Sequence, residues 1–99
     1  MNLKTILFLA AAAALPWSAQ ADMANGKKLY QENCVACHAR MVGGDGSSLF
    51  TRPDRRVSSL AGLGKQVRRC RDNLGLTWFD DQVNDVIDYL NVTYYKFPK

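Results

Sequence analysis

Cys34-Val35-Ala36-Cys37-His38 is the stretch that decides how this chain folds. It reads C-x-x-C-H, the attachment pattern for a c-type haem. Two thiols with two residues between them fall on one helical turn, so both reach the same porphyrin edge. Each can add across one vinyl group, giving two thioether bonds. His38 comes next and is placed under the iron, where an imidazole nitrogen can serve as axial ligand. The cofactor read from the sequence is therefore one covalently attached haem c, bound through Cys34, Cys37 and His38. The chemistry is then that of the iron porphyrin, and the polypeptide sets its potential, access and partners.

The N-terminal sequence agrees with this reading. Lys4 precedes the apolar Ile6-Leu7-Phe8-Leu9 and a run of alanines, Pro16 breaks the run, and Ala19-Gln20-Ala21 supplies small residues at the cleavage positions. The apolar run falls short of the roughly 20 residues that span a bilayer. Residues 1–21 are expected to be a secretory signal peptide, and residues 22–99 a single domain. The expected location is the periplasm or another exported compartment, with no transmembrane segment after cleavage. Covalent haem attachment takes place outside the cytoplasm, so leader and motif point the same way.

Cleavage after Ala21 leaves 78 of the 99 residues. A chain this short buries a modest core and often needs a staple such as a metal or disulfide. A covalent haem supplies the staple and a large apolar surface to pack around. Losing Lys4 with the leader leaves 12 Lys and Arg against 9 Asp and Glu. The haem propionates offset most of that excess, so nothing in the charge calls for nucleic acid.

Helical spacing dominates the remainder, and no segment alternates convincingly as a strand. A first helix is expected from Asn25 to Cys34, with Asn25 as cap and Gly26, Leu29, Tyr30 and Asn33 at helical spacing. A last helix follows the Thr77 and Asp80 start signal, and Phe79, Val83, Val86, Ile87 and Leu90 form its apolar stripe. A third, shorter helix is expected from Leu60 to about Asp72, carrying Leu63, Val67 and Cys70. Gly43, Gly44, Gly46 and Pro53 mark 42–59 as loop. The fold class is all-α.

With these residues in place the chain resembles the small class I cytochromes c. The resemblance rests on Gly26-Lys27-Lys28-Leu29-Tyr30, on Cys34 to His38, and on Trp78 to Asn91 with Asp88-Tyr89-Leu90. It covers nearly the whole mature chain. It implies that the first and last helices cross at a small residue packed by an aromatic, around one covalent haem. Gly26, Tyr30, Tyr89 and Leu90 suit that crossing.

The chain departs from the family at the second face of the iron, where a methionine from the loop before the last helix is typical. Beyond the leader only Met23 and Met41 remain. Met41 lies three residues after His38, and three residues span at most about 10 Å, too little to round the porphyrin edge. His38 is the only histidine, so bis-histidine ligation within one chain is impossible. The corresponding region is Cys70-Arg71-Asp72-Asn73-Leu74-Gly75-Leu76. Cys70 is a candidate distal ligand, since a thiolate binds iron strongly and Arg68, Arg69 and Arg71 favour the thiolate form. A small buried apolar role and an intermolecular disulfide are its alternatives. Asn73 is the second candidate. The region is partly similar to the sphaeroides haem protein type, which places an asparagine beside a cysteine there, although Arg69 precedes Cys70 in this chain. Asn73 also reads as a helix end ahead of Gly75. Lys65 is a weaker candidate, and an open distal site is a further alternative.

Arg52, Arg55, Arg56, Lys65, Arg68, Arg69 and Arg71 make residues 52–71 strongly basic, whereas the last helix carries Asp80, Asp81, Asp85 and Asp88. Such asymmetry orients a carrier toward redox partner proteins, and some of the arginines suit haem propionates. Asn91-Val92-Thr93 matches a glycosylation sequon, a pattern frequent by chance. The expected function is a periplasmic monohaem c-type cytochrome carrying single electrons between redox partners, and not an enzyme. The alternative is a gas- or peroxide-binding haem protein with an open or weakly ligated distal site and weak peroxidase or reductase activity. A third reading, a Cys₃His zinc set of Cys34, Cys37, Cys70 and His38, is disfavoured because adjacent Cys37 and His38 rarely close one tetrahedron.

Overall fold

The computed structural model describes residues 22–99, so the expected signal peptide lies outside the described residues. The first helix, α1, runs Met23–Asn33. It begins two residues before the expected Asn25 because Asp22 is the cap: its carboxylate accepts the Asn25 amide at 3.0 Å. Asn25 instead reaches across to Asp85 of the last helix, donating from Nδ2 to Oδ2 at 2.8 Å. The Asp22 amide itself donates to the other Asp85 oxygen at 2.7 Å.

The haem motif runs into a helix of its own, separate from the first, which the sequence reading did not specify. Cys34 bends the chain, and α2 follows over Val35–Val42. Gly43 ends it at φ 82°, a left-handed conformation that favours glycine. A single short turn, α3 (Ser48–Thr51), lies within the expected loop and carries the buried Phe50. The fourth helix, α4, spans Leu60–Asn73, within one residue of expectation. Ser59 caps it by accepting the Gly62 amide at 3.0 Å, and Gly75 at φ 67° turns the chain away.

The last helix, α5, spans Asp80–Leu90. Its start corrects the expected Thr77 signal. Phe79 occupies the cap position, and its amide donates to Gln82 Oε1 at 2.9 Å. Asp80 and Asp81 fill the first turn, where carboxylates suit the positive end of the helix dipole. A π-helical turn, Asn91–Tyr95, continues it. Asn91 is buried and clasps the chain end, donating from Nδ2 to the Phe97 carbonyl (3.1 Å) and accepting the Phe97 amide (2.8 Å). Both ends of that amide are engaged, so the sequon is structural.

The crossing of α1 with α5 is the most extensive packing in the fold. It depends on Gly26, where a Cβ would collide with the Asp85 carbonyl and the Tyr89 side chain. Tyr30 and Tyr89, ring centroids 6.0 Å apart, complete the contact. Leu63 from α4 and Val83 and Val86 from α5 are the deepest apolar side chains. There is no strand among the described residues. The architecture is all-α and compatible with the class I cytochrome c expectation.

Candidate haem site

Between α1, α2 and α4 lies an open cleft. Its first wall is the motif, through Tyr30, Cys34 and His38. The facing wall is α4, through Leu63, Gln66, Val67, Cys70 and Arg71. Leu74, Leu76 and Trp78 close it from the connection to α5, and Val86 and Leu90 form the floor. The lining is predominantly apolar, as a porphyrin face requires.

The α1–α2 bend places the two thiols differently. Cys34 is half-buried in the cleft, and desolvation, followed by the nearby Cys70 and Cys37, pushes its thiol up to about 11. Cys37 is exposed, with Arg40 Nη2 3.5 Å from its sulfur. Cys34 thus lines the cleft, whereas Cys37 is exposed and is not part of the lining.

His38 is fixed from behind. Gly46 lies so close that a Cβ there would collide with the His38 Cβ. Phe50 packs against the imidazole with centroids 5.3 Å apart, and Tyr30 meets it edge-on at 5.9 Å. Nδ1 is buried and has no hydrogen-bond partner among the described residues, which leaves Nε2 as the nitrogen available to iron. Burial lowers the His38 pKa, so the ring is held neutral, the form that ligates metal.

The distal candidates separate. Cys70 lines the cleft on α4, and Gln66 Nε2 donates to its sulfur at 3.5 Å. Asn73 is exposed at the end of α4 and is not part of the lining. Lys65 is exposed. Met41 is 69 % exposed, and Met23 packs against the core outside the cleft. Among the described residues no three His, Cys, Asp or Glu side chains converge to hold a metal ion, which removes the zinc set. The residues present fit a haem: an apolar slot, a neutral imidazole in one wall and a thiol beside it.

Residues 21–90 match the family model for cytochrome c oxidase, cbb3-type, subunit III. The chain belongs to this family of c-type cytochrome domains. Searches of curated proteins and of solved structures return no match for the cytochrome. Its chemistry is haem-based electron transfer. Two residues at the site escaped the sequence reading. Gln66 was accessible in principle, since it precedes Cys70 by four positions and shares its helix face. Phe50, which packs on His38 outside the cleft lining, was not, because it reaches His38 only through the fold of the glycine-rich turn. Arg71, named beside Cys70 in the sequence, lines the cleft while its Nε pairs with Asp72 at 2.9 Å.

The basic segment does not form one uniform face. Arg55 is spent internally: its guanidinium lies 5.1 Å from the centroids of both Tyr95 and Phe97. Arg52 pairs with Asp54. Arg56, Lys65, Arg68 and Arg69 remain exposed. No helix among the described residues is long and apolar enough to cross a membrane.

Proposed function

We propose that the protein is an exported monohaem cytochrome that carries single electrons between redox partner proteins, and is not an enzyme. The observation that carries this is the joint placement of Cys34 and His38 in one apolar cleft, with the motif's other thiol, Cys37, exposed beside them in sequence. Cys34 and Cys37 would hold the haem covalently, and His38 would ligate the iron. The haem would supply a one-electron iron couple. The apolar walls would keep water from that couple, and the exposed position of Cys37 would leave the attachment side open to partners. The exposed bases Arg56, Lys65, Arg68 and Arg69 orient an acidic partner during approach. Export follows from the leader, with cleavage after Ala21.

At the sixth position we assign Cys70, because it faces the cleft and Asn73 does not. The second reading, an open site that binds gases or peroxide, draws on the exposure of Met41 and the displacement of Met23 from the cleft.

Absorption spectra of protein matured with haem-attachment machinery test the reading in the oxidised, reduced, and reduced carbon-monoxide forms. A covalent low-spin haem unmoved by carbon monoxide is the expected result. A high-spin or carbon-monoxide-sensitive spectrum selects the second reading. Absence of covalent haem overturns both.

A further inference from the structure

The segment that follows α5 folds back on itself. Lys96 adopts φ 60°, a left-handed conformation uncommon outside glycine. Its amide donates to the Asn91 carbonyl at 2.6 Å. The reversal carries Phe97 over Tyr95, with ring centroids 5.3 Å apart and planes 24° from parallel. Asn91, 2 % exposed, fixes it from within through its two bonds to the Phe97 backbone. Residues 94–97 are thereby shaped into a short strap.

The strap lies on the turn formed by residues 47–56. Arg55 joins the two. Its guanidinium sits 5.1 Å from the centroids of both Tyr95 and Phe97, and its Nη1 donates to the Phe50 carbonyl at 3.0 Å. A planar guanidinium can stack and donate at once, which an ammonium cannot do. Phe50 adds ring contacts with Tyr94 and Tyr95 at 5.3 and 5.5 Å, and it also meets the His38 ring at 5.3 Å. The short helix α3 packs on the π-helical turn and on α2, so the turn is held between the strap and the motif helix. Its own backbone bonds are local: Phe50 to Ser47, Arg52 to Ser48 and Arg55 to Arg52. Local bonds do not tie a turn to the rest of a fold, and segments that share the same few tertiary ties open together.

We propose that residues 94–97 are a strap over the 47–56 turn, bolted by Arg55, and that strap and turn open and close as one unit while the α1–α5 crossing stays shut. The crossing is independent of the bolt, since it is set by Gly26 against the Asp85 carbonyl and Tyr89. Opening of the unit withdraws Phe50 and uncovers α2 from behind without unwinding α1 or α5. The strap stands on packing within the chain and does not depend on the haem reading.

Residue-resolved hydrogen exchange of the mature protein, with and without substitutions at the bolt, provides the test. The amides of Phe50, Arg52, Arg55, Lys96 and Phe97 are all hydrogen-bonded in the closed form, so each reports opening. Arg55→Gln should speed exchange at all five together by about tenfold, with the amides of Tyr30 and Tyr89 unmoved. Arg55→Lys keeps the charge but loses the planar fork, and should behave like Arg55→Gln. A uniform rise across α1 and α5 would show plain global destabilisation and overturn the proposal. A rise confined to 50–55, with Lys96 and Phe97 unchanged, would overturn the shared unit. Phe97→Leu approaches the bolt from the other side and serves should Arg55→Gln fail to fold. It should release the amides of Phe50, Arg52 and Arg55 as well, and wild-type protection there would sink the strap.

Discussion

Cys70 and Asn73 stand three positions apart on one helix, but Asn73 is its last residue and falls outside the cleft lining. Cys70 meets Gln66 in the cleft, while Asn73 is solvated at the helix end. Cys70→Ser should therefore alter the ferric spectrum, and Asn73→Ala should leave it unchanged. The reverse pattern would move the distal assignment to Asn73. Gln66→Leu should shift the Cys70Ser-sensitive band without abolishing it, because a thiolate that loses a donor stays bound but becomes a stronger electron donor. At this scale the sequence was most readable where chemistry is local. Cys34, Cys37 and His38 are contiguous, and their spacing alone carries their meaning. Phe50 acquires its meaning only when distant segments meet, so no local pattern announced it, whereas Gln66 needed only its place four residues before Cys70 on one helix face.

Among the elements, the α1–α5 crossing is the least tolerant of change. Gly26→Ala places a methyl group against the Asp85 carbonyl and Tyr89. The backbone must shift, at a cost of about 1–3 kcal/mol. A thermal melt of the holoprotein should record this as a lowered midpoint, and an unchanged midpoint would contradict the packing described. Asn91→Ala removes two bonds that hold the chain end. It should destabilise by about 1–3 kcal/mol and speed amide exchange at Phe97. Helices with long apolar stripes were legible in sequence. The stripe of α4 placed it within one residue, and Val83, Val86 and Leu90 located α5. The ends were harder, since caps are decided by single hydrogen bonds: Asp22 displaced Asn25 and the Phe79–Gln82 pair displaced Thr77. The α2 helix escaped because its eight residues are too few to show a period, and α3 is a single turn.

For the whole molecule the issue is size. Leu63, Val83 and Val86 are the largest fully buried side chains, a small core for a mature domain of this length. The haem must contribute much of the remaining apolar contact. Protein made without haem attachment should therefore lose near-ultraviolet circular dichroism and melt at lower temperature with poor cooperativity; a sharp, unshifted melt would show that the helices need no prosthetic group. The free charges act at this scale too. Arg68 and Arg69 are exposed on α4, so oxidation of the reduced protein by ferricyanide should slow as salt rises. Changing both to Gln should slow it at low salt and flatten the dependence. The overall all-α plan followed from the motif and two amphipathic stripes. The distribution of charge did not, because sequence order cannot reveal that Arg55 is consumed beneath two aromatic rings.

The contact between the Asp22 amide and Asp85 has a consequence for biogenesis. If the proposed cleavage falls after Ala21, that nitrogen becomes a free ammonium group facing a carboxylate already in position. The neutral bond at the seam between the first helix and the last would then be an ion pair.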